Sequence, residues 1–235
     1  MQTPAEATLI DRAAALLADL ELDSRTVLNV GAGGSTVVED EILQRLRGGF
    51  VCDRVDVEPC AVEHPFVRHS IVESVERMTR VGSDQYTLVM SNYVFEHVPD
   101  CDAALREVAR VLRPGGRFVL TVPNPTAPEF AVARRTPTWF HEALRGRPEG
   151  GSRAYPTFYA YGSIDGLVRA GQAAGLWLEG LVQTSFLFGY LVRWRPLAPL
   201  ARAWDGGVNR LAWRSMQGHA CLTLRKAGQS AGDRM

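Results

Sequence analysis

The sequence predicts an α/β fold: a doubly wound, mostly parallel seven-stranded sheet with helices on both faces. Three observations predict it. Short segments rich in β-branched residues alternate with helical patterns along the 235 residues, and such alternation marks βαβ units whose right-handed crossovers leave few other topologies. The first strand candidate runs straight into a glycine loop and then a helix, in "RTVLNVGAGGST" followed by "VVEDEILQRL". No internal repeat or low-complexity stretch divides the chain, and its length suits one well-cored domain spanning 1–235.

Each element has a local cause. "TPAE" reads as a helix start, with Thr3 as N-cap, Pro4 in the first turn and Glu6 at the capping-box position. The N-terminal helical segment (1–22) carries Leu9, Ile10, Ala13, Leu16, Leu17 and Leu20 on one face. "TVLNV" is a short buried strand, and the next helix stops at Gly48-Gly49. "RVDV", "FVRHS", "YTLVMS" and "RFVLTV" are further strands, each closed by turn or polar residues. Between the last two, Leu105, Val108, Val111 and Leu112 line a helix face before Pro114-Gly115-Gly116 turns the chain back. "SIDGLVRAGQAAG" is a helix opened by Ser163, and "LWLEGLVQ" and "ACLTLRK" are closing strands. Two less regular stretches, 125–162 and 184–218, read as insertions around an acceptor site or as lids.

Composition narrows the function classes. Hydrophobic residues at 46% and charged residues at 22% are ordinary for a soluble globular chain. Lys plus Arg and Asp plus Glu are 26 each, so no net field draws the chain to nucleic acid. Cys52, Cys60, Cys101 and Cys221 form no C-x-x-C pair and have no nearby His at zinc spacing, which predicts no metal and reduced thiols in a cytoplasmic protein. The N-terminus lacks a basic leader pattern, and no apolar run reaches membrane-spanning length.

In an open parallel sheet, ligands sit beyond the carboxyl ends of the strands, where strand order reverses. Gly31, Gly33 and Gly34 follow the first strand, where glycine lets backbone approach a ligand closely. Asp56 lies 25 residues beyond Gly31, about where a second strand offers a carboxylate to two ribose hydroxyls. The loop lacks a phosphate-binding lysine, and Thr36 stands where a dinucleotide loop has its third glycine. A nucleoside without phosphate fits better.

"VLNVGAGGS", "RVDVEP" and above all "LVMSNYVFEHVPDCDAALREVARVLRPGGRFVLTVPN" resemble class I S-adenosylmethionine-dependent methyltransferases. The likeness is to the small-molecule branch that includes ubiquinone-biosynthesis enzymes; it covers 25–124 well, and 155–183 and 219–226 loosely. It implies a Rossmann-like sheet with an antiparallel last strand and S-adenosylmethionine as methyl donor. By it, Asn29, Gly31, Ala32 and Gly33 serve the cofactor's amino-acid portion, and Asp56 with Val57 the ribose. Ser70 and Ile71 would lie near the adenine; Ser91, Asn92 and Tyr93 would pass beneath the sulfonium. Three positions depart from the family pattern: Asn29 replaces an acid, Ser35 a glycine, and Ser70 an acid near the adenine amine.

A sulfonium is already an activated leaving group, so the protein mainly aligns donor and acceptor, roughly 3 Å apart, in a dry pocket. A neutral hydroxyl acceptor still needs a base. His97, after the fourth strand, is the first candidate, with a structural role beside Glu96 as its alternative; His141, in "TWFHEAL", is the second. Tyr155, Tyr159 and Tyr161 either line an acceptor pocket or staple a loop by aromatic burial, and His64 and His69 read as structural. In 184–218, Arg193, Arg195, Arg202, Arg210 and Arg214 mix with Trp194, Trp204 and Trp213 against Asp205 alone. That mixture suits a membrane surface, a greasy anionic acceptor or a packed lid. The predicted function is methyl transfer to a small or lipophilic acceptor, at oxygen. The alternatives are a catalytically inactive methyltransferase-like binding subunit, motivated by Asn29, Ser35 and Ser70, and a nicotinamide oxidoreductase.

Overall fold

The computed structural model describes residues 2–59, 63–128, 130, 155–192 and 196–228. Among them seven strands form one sheet: β1 (Thr26–Val30), β2 (Val51–Asp56), β3 (Val67–Val72), β4 (Tyr86–Asn92), β5 (Leu112–Pro123), β6 (Leu176–Thr184) and β7 (His219–Lys226). The helices are α1 (Pro4–Ala18), α2 (Val37–Arg45), α3 (Cys101–Val111), α4 (Ile164–Ala173), α5 (Leu187–Leu191) and α6 (Ala198–Arg210). Strand order is β3-β2-β1-β4-β5-β7-β6. β1 to β5 pair in parallel, and β7 runs antiparallel to both neighbours. Strand order therefore reverses between β1 and β4, where the carboxyl ends open a crevice.

Both faces of the sheet are covered, so side chains alternate between two cores. Val27, Cys52, Leu88, Met90, Val119 and Cys221 pack against α1 and α2. Leu28, Val30, Val89, Phe118, Leu120 and Leu222 pack on the other face against α3 and α4. The periodicity of α1 is realised, with Leu9, Ile10, Ala13 and Leu17 fully buried; each such Leu or Ile contributes about 1.5–3 kcal/mol of burial. Thr3 caps α1 by accepting from the Glu6 amide at 3.1 Å. The Glu6 carboxylate does not complete a capping box; it accepts from Asn92 Nδ2 at 3.0 Å, tying the start of α1 to the end of β4.

Two boundaries differ from the sequence pattern. The helix α2 ends at Arg45, ahead of the glycine pair. Pro114-Gly115-Gly116 makes no separate turn; it lies inside β5, in a bulge between the pairs Tyr86–Leu112 and Leu88–Arg117. Gly115 takes φ +79° there, which absorbs the surplus residues without breaking the strand. In the second insertion, Asp205 of α6 accepts from the Ser185 hydroxyl and the Leu187 and Phe188 amides, capping α5 from outside. Cys52, Cys101 and Cys221 are buried free thiols, and Cys60 lies outside the described residues. No described helix is long and apolar enough to cross a membrane.

Candidate active site

Two glycines of the loop after β1 are required for different reasons. Gly31 takes φ +70°, its amide donates to the Val55 carbonyl at 2.8 Å, and an added Cβ would stand 2.2 Å from Val94 Cγ2. Gly33 takes φ +58°, yet a Cβ there would meet nothing within 4 Å. The first is packed shut and the second faces open space. The Gly33 amide donates to Asp56 Oδ2 at 2.8 Å, and Asp56 Oδ1 accepts from the Glu58 amide at 3.0 Å.

That open space is a cleft of about 280 Å³ at the carboxyl ends of β1, β2 and β4, toward the small end of ligand sites. Its β1–β2 side carries Gly31, Gly33, Asp56 and Val57; its β4 side carries Asn92, Tyr93, Val94 and His97. The segment after β3 closes it with Glu73, Ser74, Val75 and Glu76. Glu73 accepts from the Thr79 hydroxyl at 2.6 Å and the Arg80 amide at 3.1 Å. Burial works to raise the Glu73 carboxyl, but these donors and the Arg80 charge hold it below its usual range. It is ionised at neutral pH. Glu76 accepts from the Asp100 amide at 2.7 Å and the Ser74 hydroxyl at 2.9 Å.

Five predicted contact residues lie elsewhere. Asn29 is buried on the α2 face of β1, and its Nδ2 donates to Glu39 Oε1 at 2.8 Å; alternation along a strand that points Val30 one way points Asn29 the other. Ala32 turns its carbonyl down to Arg54 Nη2, at 2.7 Å. Ser70 and Ile71 sit within β3, which runs on to Val72, so the cleft begins three residues beyond Ser70. Ser91 is buried inside β4. His141 lies outside the described residues.

His97 does line the cleft. Its Nδ1 is 2.9 Å from the Pro156 carbonyl, so Nδ1 carries the proton in a neutral ring and Nε2 keeps its lone pair. The strap that supplies Pro156 is fixed by the Phe158 and Tyr159 amides on the Glu96 carbonyl, and by the Tyr161 hydroxyl on the Pro123 carbonyl at 2.7 Å. Of the three tyrosines, Tyr155 reaches the cleft and Tyr161 is a buried staple. His64 and His69 form ion-pair contacts with Asp40 and Asp53.

The sequence reading missed a second histidine. His219, 1% exposed, opens β7 and therefore stands at the carboxyl edge of the parallel strands. Its Nδ1 is 2.7 Å from the Tyr93 hydroxyl and its Nε2 is 3.1 Å from the Tyr190 hydroxyl. Phe130 and Phe186 set ring edges against it at centroid distances of 5.5 and 6.3 Å. Tyr93 also meets Thr3 Oγ1 at 2.8 Å, and burial pushes its phenol up, so it stays neutral. The signal was available: in a strand that runs backwards, the first residue, not the last, reaches the ligand edge.

The fold and the cleft define a class I methyltransferase sheet, with a glycine loop and an acid-ended second strand at the switch point. The methyltransferase-domain family matches residues 2–179, and the chain belongs to that family. Over 125 residues it is 33% identical to a ubiquinone biosynthesis O-methyltransferase of Xanthomonas oryzae pv. oryzae, covering 49% of this chain and 50% of that one. The chain thus matches about half the length of such curated relatives. Geranyl diphosphate C-methyltransferase from Streptomyces coelicolor A3(2), solved with Mg2+, geranyl diphosphate and S-adenosylhomocysteine, has a similar fold. Its TM-score is 0.60 at 16% identity, over 94% of this chain and 79% of that one. An S-adenosylmethionine-dependent methyltransferase from Mesorhizobium loti gives a TM-score of 0.54 at 16% identity, over 92% and 100%. The residues present suit the methyl donor, because the open face at Gly33 and the Asp56 carboxylate stand side by side at one mouth of the cleft.

Proposed function

We propose that the protein methylates the oxygen of a small or lipophilic acceptor. The observation that carries this is the pairing of an open Gly33 with Asp56 at the mouth of the β1–β4 cleft. When bound, S-adenosylmethionine supplies a methyl group on an activated sulfonium. In this reading the loop at Gly31 and Gly33 receives the amino-acid portion, and Asp56 accepts from the ribose hydroxyls. In this reading Glu73 and Glu76, which line the cleft beyond the end of β3, serve the adenine end in place of Ser70 and Ile71.

The acceptor side has two polar groups to work with. His97 offers Nε2 to an acceptor hydroxyl proton while Pro156 fixes its ring. Tyr93, which lines the cleft with His97, belongs to an aromatic cluster with Tyr190, Phe130, Phe186 and His219, suited to an apolar or aromatic acceptor body. Oxygen as the acceptor atom is supported by the kinship with O-methyltransferases. In this reading the protein works in the cytoplasm, and 184–218 touches a membrane surface or covers the acceptor. Leu200, Leu211 and Trp213 are 69%, 74% and 51% exposed there, beside Arg202, Arg210 and Arg214.

Calorimetric titration with S-adenosylmethionine, S-adenosylhomocysteine and NAD tests the reading. Micromolar binding of both sulfur nucleosides and none of NAD is expected; absence of binding by either would sink it. Transfer of a deuterated methyl group, located by mass spectrometry on phenolic and enolic acceptors, then tests the acceptor atom. Label on carbon or nitrogen would overturn the choice of oxygen.

A further inference from the structure

Directly beneath the glycine loop lies an ion pair closed off from solvent. Arg54 of β2 and Glu39 in the first turn of α2 are both 0% exposed, with Arg54 Nε 3.1 Å from Glu39 Oε1. The guanidinium does not point at a substrate. Its Nη2 donates to two backbone carbonyls of the loop, Ala32 at 2.7 Å and Ser35. Asn29 stands beside Arg54 in the β1–β2 register and donates its amide to the same Glu39 oxygen at 2.8 Å.

Stability is a weak reason for such a pair. Two buried charges cost several kcal/mol of desolvation each, and similar-sized apolar residues often serve as well or better. Here the compensation is incomplete, since Glu39 Oε2, Arg54 Nη1 and Arg54 Nε make no hydrogen bond, the last meeting Glu39 only as an ion pair. What the pair does supply is geometry. A loop that turns the Gly33 amide outward to Asp56 and the cleft turns carbonyls inward, and buried carbonyls need donors. Arg54 is that donor, Glu39 is its counterion, and the positive end of α2 favours a carboxylate at that position. Asn29 also follows from this. A carboxylate at 29 could not donate to Glu39 and would set a second negative charge against it.

We propose that Glu39 and Arg54 are positioning residues for the cofactor loop, holding the Ala32 and Ser35 carbonyls inward, with Asn29 as the pair's donor. The acid that the family carries at position 29 is in this chain one layer out, at 39. The inference rests on the cleft being the cofactor site, and the test separates the two ideas.

Three variants are compared with the wild type: Glu39→Leu/Arg54→Met, Asn29→Asp, and the swap Asn29→Asp/Glu39→Gln. Thermal midpoints, hydrogen exchange of the ligand-free protein, and S-adenosylhomocysteine affinity are measured for each. The apolar double variant should melt within a few degrees of wild type. Its amides at 31–36 should exchange about tenfold faster, with β1 and β2 protection unchanged, and it should bind about tenfold more weakly. Asn29→Asp should do the same, and the swap, which restores one charge and one donor, should recover wild-type behaviour within about threefold. Wild-type exchange and affinity in the folded apolar variant would overturn the proposal. If that variant does not fold, the two Asn29 variants decide: both matching wild type overturns it. A wild type that binds no S-adenosylhomocysteine defeats the cofactor reading alone, and loop exchange still decides the role of the pair.

Discussion

The Gly33 amide and the Asp56 carboxylate face each other across the mouth of the cleft, 2.8 Å apart, and so join the glycine loop to the end of β2. Asp56 therefore orders the loop, and in the proposed reading it also presents its carboxylate to the ribose. Asp56→Ala should weaken S-adenosylhomocysteine binding by roughly 2–4 kcal/mol, since a charge-assisted pair of bonds is lost. Calorimetry gives the answer directly. Unchanged affinity would mean that the ribose does not lie at the end of β2.

The two loop glycines predict opposite failures. Gly31→Ala drives a methyl group into Val94 at a backbone angle that disfavours side chains; overpacking and the left-handed conformation together should cost about 2–4 kcal/mol of stability. Gly33→Val places a Cβ that meets nothing within 4 Å. It should lose only about 1–2 kcal/mol from the positive φ and yet abolish cofactor binding. Melting curves and titrations of the pair separate packing from recognition. Equal stability losses with retained binding would refute the distinction.

Acid stability should depend on Asp53. It is buried at the inner end of β2, where burial works to raise its carboxyl, but bonds from Arg68, Tyr86 and His69 hold it below the usual range. Its stabilising contribution is thus complete above the ordinary carboxylate range and is lost as pH falls through its lowered folded value. Asp53→Asn should cost about 1–3 kcal/mol at neutral pH, because the Tyr86 hydroxyl loses an anionic partner. The same substitution should flatten the loss of stability on acidification. Urea titrations at pH 7 and pH 3 measure both terms, and an unaltered acid slope would count against Asp53 as the sensor.

His219→Phe keeps an aromatic ring in the cluster but removes the groups that meet Tyr93 and Tyr190. Loss of the two hydrogen bonds should cost about 1–3 kcal/mol. The measured quantity is the shift in thermal midpoint. A neutral outcome would show that the two hydroxyls find other partners.

Contact of α6 with lipid predicts binding to vesicles of anionic phospholipid that weakens as salt rises. Replacing Leu200 and Leu211 together by Glu should reduce co-sedimentation about tenfold while leaving S-adenosylhomocysteine affinity unchanged. Equal sedimentation of wild type and variant would remove the membrane role and favour a lid.

Strands were readable from the sequence because most are buried on both faces and appear as runs of β-branched residues. The exception shows why Ser70 and Ile71 were read at a strand end. β3 is an edge strand with exposed Arg68 and His69 in its middle, so its sequence pattern ends at Ser70 while pairing with β2 carries it to Val72. That shift moves the end of the cleft from Ser70 to Glu73. Asn29 was assigned by motif, whereas the alternation within β1 turns it to the α2 face, opposite Val30; Ser91, the β4 partner of Val30, is buried on Val30's own face. The Glu39–Arg54 pair had no sequence signal at all, because its partners come together only when α2 packs on the sheet. The places of Asp56 and His97 at the cleft were legible because Asp56 ends β2 and His97 lies in the short turn after β4.

The reversal of β7 also decides where the protein can be handled. The start of α1 touches the site through Thr3–Tyr93 and Glu6–Asn92, so an affinity tag placed ahead of Thr3 would crowd the cleft. β7 begins at that same edge with His219 and ends with Lys226 at the opposite one. A fluorophore attached at Lys226 itself would sit on the far side of the sheet, away from the cleft.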